Sequence, residues 1–547
     1  MLKAYKSDVL LCLADLSNDE VFTPPTIANR MLDLLPEKIW GNPNIKILDP
    51  AAKSGVFLRE AAKRMLNAQV PDFQKNLDEI EERKRNGKAL TQKQLQFQEK
   101  LQDKINHIFR HQLFALPITE LTALLTRRSV YCSKDAQNKH SVVQGFGDRQ
   151  GNMRFFADIA HEWKNDKCTL CGASQSEYQR ENGKEQHAYA FIHYEQLLQK
   201  WSEIKDMHFD VIIGNPPYQL SDGGGTGDSA KPIYHLFVEQ AKKLEPEHLV
   251  LLVPSRWLKG GKGLKKFREE MQNDTRLKKL YDFEDAKEVF KGINLDGGVC
   301  YFHWDKHHQG KVEYTYKPKQ GEVVISMRYL KNEFSQTAIR DERQISIIQK
   351  SGSLKEEKFS QIVSPRNPYG FFADLFNNPE KYPQYALSEK ANTDLYKVYG
   401  VKGKKGGAKR IFAYIDKQHI QKNTSMANKY KLFFSKAYMT TATVPPKIIL
   451  GKPKEVCTET FLNIGCFDSK EQALNCLSYI CTKFFRALLF FNRHSLNISQ
   501  SSFNLIPLQD FSKSWTDEAL YQKYKLNAKE IEFIENNIKE MDFSYEE

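Results

Sequence analysis

Long apolar runs are the first thing this 547-residue chain lacks. No stretch approaches the length of a membrane span, and the start Met1-Leu2-Lys3-Ala4-Tyr5-Lys6 has none of the extended apolar core of a leader peptide. A cytoplasmic protein without a membrane partner is therefore expected. Cysteine is scarce too: the nine cysteines stand mostly alone in apolar surroundings, as at Cys300, Cys476 and Cys481. That pattern suits reduced core thiols and argues against a disulfide framework. Missing as well is a grouped set of carboxylates and a lysine that would hold a nuclease metal, so no fused nuclease is expected. Acidic residues are in deficit, with 81 Lys and Arg against 68 Asp and Glu and a net charge of +13. A polyanionic partner fits that balance.

Against this background the segment Asn215-Pro216-Pro217-Tyr218 stands out, because it follows Phe209-Asp210-Val211-Ile212-Ile213-Gly214, which reads as a buried strand. A strand end that offers an amide, two prolines without N–H groups and an aromatic ring supplies acceptors and a stacking face. Such a loop suits methylation of an exocyclic amine. The amino nitrogen of adenine is a poor nucleophile because its lone pair is delocalised into the ring. A catalyst must accept its two N–H hydrogens, which the Asn215 side-chain oxygen and the Pro216 carbonyl can do, while Tyr218 holds the base by stacking. A Gly-rich loop, Ser221-Asp222-Gly223-Gly224-Gly225-Thr226-Gly227, follows.

Upstream, Ile45–Leu58 reads as a strand, a tight turn and a helix, the first unit of a doubly wound α/β sheet. Its small residues Ala51, Ala52, Ser54 and Gly55 let a cofactor approach the backbone and the helix N-terminus, with Asp49 facing it. Thr23 is the expected N-cap of a helix that opens with proline. Residues 73–110 carry dense charge with apolar residues at helical spacing and predict a helical hairpin within an insert at 70–110. Strand and helix units return at 112–130 and again after residue 210, with a helix at Tyr234–Ala241 and strands at Leu249–Pro254 and Gly297–Phe302.

Between them, Cys168-Thr169-Leu170-Cys171-Gly172 has the spacing of a metal knuckle. Cys132 and His161 are the nearest residues to complete a structural zinc site tying together the insert at 131–190, with His140 competing as fourth ligand. Reduced structural cysteines are the equal alternative. From about residue 336 the composition shifts. Lys402-Gly403-Lys404-Lys405-Gly406-Gly407-Ala408-Lys409-Arg410 suits phosphate contacts, and the stretch from Arg493 and His494 to Ser502 is rich in side chains that read base edges. The last ~35 residues, from near Trp515, read as an amphipathic helical end.

In the order of these segments the chain resembles the gamma-class N6-adenine DNA methyltransferases of bacterial restriction-modification systems, and most closely the restriction-modification methylase subgroup. That likeness rests on 49–58, on Pro254-Ser255-Arg256-Trp257 and on Ile506-Pro507-Leu508-Gln509-Asp510-Phe511. It implies a Rossmann-like methyltransferase domain at 1–335 and a mixed α+β target-recognition domain at 336–547. S-adenosylmethionine would be the cofactor and double-stranded DNA the partner of a monomer, with a separate restriction endonuclease as a further partner. The resemblance places Thr23, Asp49, Pro50, Ala51, Ser54, Gly55, Asn215 and Pro217 at the cofactor, together with Phe237 at its adenine ring. Tyr218 and Phe290 would stack on opposite faces of a flipped target base. This chain departs from the family in Lys53, where a second glycine is usual, and in Pro117, near which an acid should bind the ribose. Glu120 is the replacement on offer, and Phe191-Ile192-His193 occupies the adenine-reading segment without a carboxylate. Two other readings fit the same loop: methylation of RNA or of a protein glutamine, and a DNA-binding specificity module that turns over weakly.

Overall fold

A computed structural model describes residues 22–179, 189–220, 231–260, 263–293, 295, 297–333, 338–352, 355–403, 407–439, 442–493 and 496–546. The chain divides into two compact units, Met1–Lys331 and Asn332–Glu547. In the first, β1 (Ile47–Ala52) and β2 (Leu113–Pro117) precede a two-residue pair, β3 (Trp163–Lys164) and β4 (Lys167–Cys168). Then come β5 (Val211–Gly214), β6 (His248–Pro254), β7 (Leu277–Phe283), β8 (Val299–Asp305), β9 (Val312–Lys317) and β10 (Val324–Arg328). Eight of these form one sheet in the order β10-β9-β7-β8-β6-β5-β1-β2. The expected α/β architecture is present, with a mixed rather than uniformly parallel sheet. The strands β6, β5, β1 and β2 run parallel, and β8 enters antiparallel to both β6 and β7.

The parallel half explains where a ligand belongs. From β1 the chain moves outward to β2, then returns to β5 and β6 on the opposite side, so the strand order reverses between β1 and β5. Ligands of open α/β sheets bind outside the carboxyl ends of the strands at such a reversal. Both strands are wholly buried and, apart from Asp49, apolar, as parallel strands covered on both faces must be. Their starting ends are stitched by Asp210, whose carboxylate accepts from the Lys46 N–H at 2.7 Å. Beyond β1, Gly55 takes φ +69° and opens the helix Val56–Gln69, whose Val56, Phe57, Leu58, Ala61, Ala62, Met65 and Leu66 are buried.

The charged hairpin at 73–110 is two helices, Phe73–Arg85 and Gln92–His107, the second started by a Thr91/Gln94 capping box. The outer edge of β2 is covered by the chain itself: the Ala115 N–H donates to Asn152 O, and the Arg154 N–H donates to Ala115 O. An unpaired edge strand is thereby removed.

The second unit contains a three-stranded sheet, Lys409–Asp416, Leu395–Lys402 and Glu455–Cys457. A four-stranded one follows, in the order Phe461–Phe467, Tyr430–Ser435, Ile448–Gly451, Tyr545–Glu546. The chain end carries the expected helices, Asp517–Lys523 capped by Thr516 and Ala528–Asn537 capped by Asn527, and then the last strand of the sheet. Among the described residues no single helix is long and apolar enough to cross a membrane. The bent pair Lys470–Cys481 and Lys483–Phe491 is the most apolar, and it supplies core residues such as Leu477, Phe484 and Phe485.

At the edge of this core Lys431 is fully buried. Its Nζ lies 3.2, 2.9, 2.7 and 2.9 Å from the carbonyls of Met426, Ala427, Lys429 and Lys452, four acceptors that share its N–H groups, and burial pulls its pKa down to about 7. Replacing the lysine with methionine keeps the volume of its stem but strips four carbonyls of a donor. Lys431→Met is expected to destabilise the second unit by about 3 kcal/mol, the cost of leaving buried acceptors unmade. Urea unfolding followed by hydrogen exchange across 426–452 measures it, and an unchanged midpoint would show that water replaces the ammonium.

Candidate active site

The strands converge at their carboxyl ends on two side chains. Asp49 of β1 is 2% exposed, and its Oδ1 accepts from the Ala51 N–H at 3.2 Å. Gly214 ends β5, and a Cβ there would lie 2.7 Å from Asp49 Oδ1 and 3.2 Å from Pro50 Cδ. Only glycine lets the loop that begins at Asn215 pass so close to the carboxylate. The β1/β2 register also slips between Asp49 and Ala52, so the strand bends where its small residues lie.

Burial pushes the Asp49 carboxyl up to about 7, against the smaller downward pulls of the Ala51 N–H and the Lys53 charge. A carboxylate held this far from water is stabilised by a cation brought against it, and a neutral ligand would leave it protonated well above its ordinary range.

Asn215 is 3% exposed, and its Nδ2 donates to Thr23 Oγ1 at 3.2 Å, which turns the amide oxygen to the opposite side. Thr23 is therefore not the N-cap expected from sequence. The helix runs Pro25–Leu32 with Pro24 as its N-cap, one residue later, which leaves the Thr23 hydroxyl to orient Asn215. Tyr218 is 7% exposed and Phe290 is 2% exposed, and both belong to one apolar cluster. Burial holds the Tyr218 hydroxyl in its protonated form. Lys53, the departure in the β1 loop, is buried with its Nζ 6.0 Å from the centre of the Tyr218 ring. A positive charge there lies against the face of an aromatic residue.

Two residues singled out separately in the sequence meet. Phe191 and Phe237 are buried and stack at 6.0 Å and 18°, and Tyr189 meets the Phe237 ring edge-on at 6.2 Å. Phe237 lies in the helix Tyr234–Lys243, which follows β5. Ser54 and Gly55 sit at the turn after β1 beside Pro50 and Ala51. Pro216 and Pro217 are buried in the loop after β5, and Glu120 is exposed as the first residue of the helix after β2. The Gly-rich stretch 221–227 lies outside the described residues, as do Lys404, Lys405 and His494.

The metal ligands expected from sequence need one exchange. His161, Cys168, Cys171 and His193 bring one ligand atom each to within 4.8 Å of one another. Cys132 is not among them: it is exposed, in left-handed backbone at φ +57°, capping the helix Glu120–Tyr131. His140 is exposed as well. The sequence offered His193 only as a neighbour of Phe191, 22 residues beyond Cys171, so spacing alone could not single it out.

In the second unit Lys402 and Lys409 pair at the ends of the antiparallel strands Leu395–Lys402 and Lys409–Asp416, and both are exposed. Arg410 is held instead, to Glu546 at 2.7 Å and to the Lys447 carbonyl at 2.5 Å. Arg493 corrects its expected role in contacting DNA. It is 7% exposed, donates to the carbonyls of Tyr438, Met439 and Ala442, and lies 3.6 Å from the centre of the Tyr438 ring. Its charge is used to hold the carbonyls of Tyr438, Met439 and Ala442.

The family model described as Eco57I restriction-modification methylase matches residues 111–290. An uncharacterized adenine-specific methylase of Mycoplasma pneumoniae (strain ATCC 29342 / M129 / Subtype 1) is 34% identical over 361 residues, 60% of this chain and 78% of that protein. Solved structures are far fainter likenesses. A modification subunit of a putative type I restriction enzyme from Vibrio vulnificus YJ016 is 13% identical with a TM-score of 0.31, over 65% of this chain and 59% of that one. The ATP-dependent type ISP enzyme LlaBIII bound to DNA is 10% identical with a TM-score of 0.41, over 95% of this chain and 39% of that one. This chain therefore spans about three fifths and two fifths of those two structures.

The raised Asp49 carboxyl gives a signed expectation. Its folded pKa lies above the unfolded 3.8, so its contribution to stability is fully present below pH 3.8 and is lost as pH rises through about 7. Asp49→Asn is expected to raise the stability of the unliganded protein at pH 8 by up to about 4 kcal/mol, with the gap closing towards pH 4. Thermal unfolding at both pH values measures this, and a variant less stable than wild type at pH 8 would refute the buried-charge account.

Proposed function

Because the chain belongs to the Eco57I restriction-modification methylase family and is an adenine-specific DNA methyltransferase, we propose that it turns one adenine out of duplex DNA and methylates its amino nitrogen from S-adenosylmethionine. One observation carries this reading. Gly214 brings Asn215-Pro216-Pro217-Tyr218 against Asp49 at the point where the strand order reverses, so an amine-accepting loop and a cation-seeking carboxylate share one site.

The residues fit the cofactor. Asp49 would hold the ammonium of the amino-acid end, and that charge would offset the desolvation cost of ionising the buried carboxyl. Ala51, Ser54 and Gly55 would border it at the helix N-terminus, and the adenine ring would lie against the apolar wall that the stacked Phe191 and Phe237 form. Glu120, at the end of β2, would reach the ribose hydroxyls. When bound, S-adenosylmethionine supplies an electrophilic methyl group.

The protein's part is placement and hydrogen bonding. Thr23 orients Asn215 so that its oxygen, with the Pro216 carbonyl, accepts the two N–H hydrogens of the target amine. The lone pair is thereby drawn back onto nitrogen. Tyr218 and Phe290 would hold the base on its two faces, repaying the few kcal/mol that unstacking costs. The charge of Lys53 beside the Tyr218 ring adds an attraction for the electron-rich base stack. The second unit would track the phosphates through the paired Lys402 and Lys409 and read the sequence. We assign the chain to the modification side of a restriction system, acting as a monomer with any nuclease supplied separately. A structural zinc in the insert completes the proposal.

Mass spectrometry of DNA incubated with the protein and S-adenosylmethionine should show N6-methyladenine. Asn215→Ala should reduce its formation on the order of 10²–10³-fold, the scale of losing one hydrogen bond made in the transition state. No N6-methyladenine above the Asn215→Ala level would falsify the reading. For the paired lysines, changing Lys402 and Lys409 together to alanine should weaken binding to all duplexes alike and lower the salt slope by about 2. A change confined to one DNA sequence would instead make these lysines base readers.

A further inference from the structure

We infer that His161, Cys168, Cys171 and His193 hold a structural zinc ion that locks the turn carrying Phe191 and, through it, the aromatic wall against Phe237. The first half of this inference stands on geometry alone. The second half rests on the cofactor site proposed above.

The four ligands come from three places in the chain and converge. Cys168 closes the β3/β4 pair, and the turn after it is fixed by the Gly172 N–H donating to Cys168 O at 3.0 Å and the Cys168 N–H donating to Ala173 O at 2.9 Å. Gly172 takes φ +75°, a left-handed step after Cys171 that turns the chain so that Ala173 O meets the Cys168 N–H. His161 lies just before β3, and its ring is set by stacking on Trp163 at 5.0 Å and 15°. His193 precedes the helix Tyr194–Lys200.

The separations suit a tetrahedron. Cys171 Sγ is 3.5 Å from His161 Nδ1, and Cys168 Sγ is 3.9 Å from His193 Nε2. Metal–ligand bonds of about 2.0–2.3 Å put tetrahedral ligands roughly 3.3–3.8 Å apart. Cys168, Cys171 and His193 are 4%, 2% and 1% exposed, so a site of this kind would be closed, with no position left for water. Two buried thiols, the buried His193 and the half-buried His161 gather against β3 and β4, which have only two residues each, in a small insert that metal binding would hold together.

The link to the pocket is a single turn. The His193 and Ile192 N–H groups both donate to Tyr189 O, at 3.2 and 3.0 Å, so residues 189–193 form one compact bend. That bend places His193 in the metal cluster while Tyr189 and Phe191 contact Phe237. A metal at His193 therefore fixes the bend from one side, and the aromatic contacts fix it from the other. His193 acts as a positioning residue for the pocket and touches no cofactor itself.

The test is metal content and cofactor affinity measured on the full chain. Wild type and Cys132→Ser should each retain one zinc per chain by plasma mass spectrometry. Cobalt substitution should give the intense thiolate charge-transfer and tetrahedral ligand-field bands. Cys171→Ser and His193→Ala should lose zinc or hold it at least about tenfold more weakly. Retention by His193→Ala with loss in Cys132→Ser would overturn the ligand set, and failure of wild type to bind zinc or cobalt would overturn the site whatever the variants do. S-adenosylmethionine affinity by equilibrium dialysis should fall at least about tenfold in chelator-stripped protein and recover with zinc. Unchanged affinity in stripped protein would overturn the coupling and leave the methyltransferase reading intact. Zinc-loaded wild type that binds no S-adenosylmethionine would overturn the cofactor reading, and the coupling with it, while the metal site stood on its stoichiometry.

Discussion

The absent side chain of Gly214 is the constraint on which the site depends. Two parallel strands that diverge in chain order leave a crevice at their carboxyl ends, but a crevice is only as useful as the groups that can enter it. With no Cβ at 214, β5 delivers its loop into contact with the carboxylate at the end of β1. Any other residue would either displace Asp49 or push the loop away from the sheet. The buried carboxyl and the amide acceptor are thus set by backbone packing before any ligand is present.

A second set of constraints works around that contact. The Thr23 hydroxyl turns Asn215, the bend of β1 opens room for small residues, and the stacked phenylalanines form a wall contributed by two distant segments. None of these elements is long. Each is held because its neighbours are buried, so the site draws its rigidity from the core cluster that also contains Tyr218 and Phe290. Charge, by contrast, is spent unevenly. Lys431 and Arg493 use theirs inside the second unit to bind carbonyls, whereas Lys402 and Lys409 leave theirs in water.

Much of this was legible in the sequence wherever one short segment carries its own signal. The strand before Asn215, the turn at Gly55 and the helical hairpin all announce themselves through local pattern and backbone chemistry. What stayed hidden depends on contacts across the chain. Thr23 looked like a helix cap because Ser and Thr so often are, and only the packing of Asn215 against it reveals the other use. Arg493 looked like a base reader by composition, yet burial beside Tyr438 gave it a folding role. Cys132 was the thiol offered by sequence, whereas His193 is the side chain that lies beside His161, Cys168 and Cys171 in space. The resemblance set Phe191 and Phe237 at the same adenine site, but their direct stacking could not be read, since it joins residues that no periodicity relates.

The strip at Asn152–Arg154 has a consequence for how this architecture can vary. By pairing with Ala115 it closes the outer rim of the large sheet, where a naked strand would recruit the rim of another molecule. The region between β2 and β5 therefore cannot be shortened freely, even though little of it approaches the chemistry. A shorter insert would have to keep this strip or cover the rim in another way, because an uncovered strand is a template for pairing with a second chain.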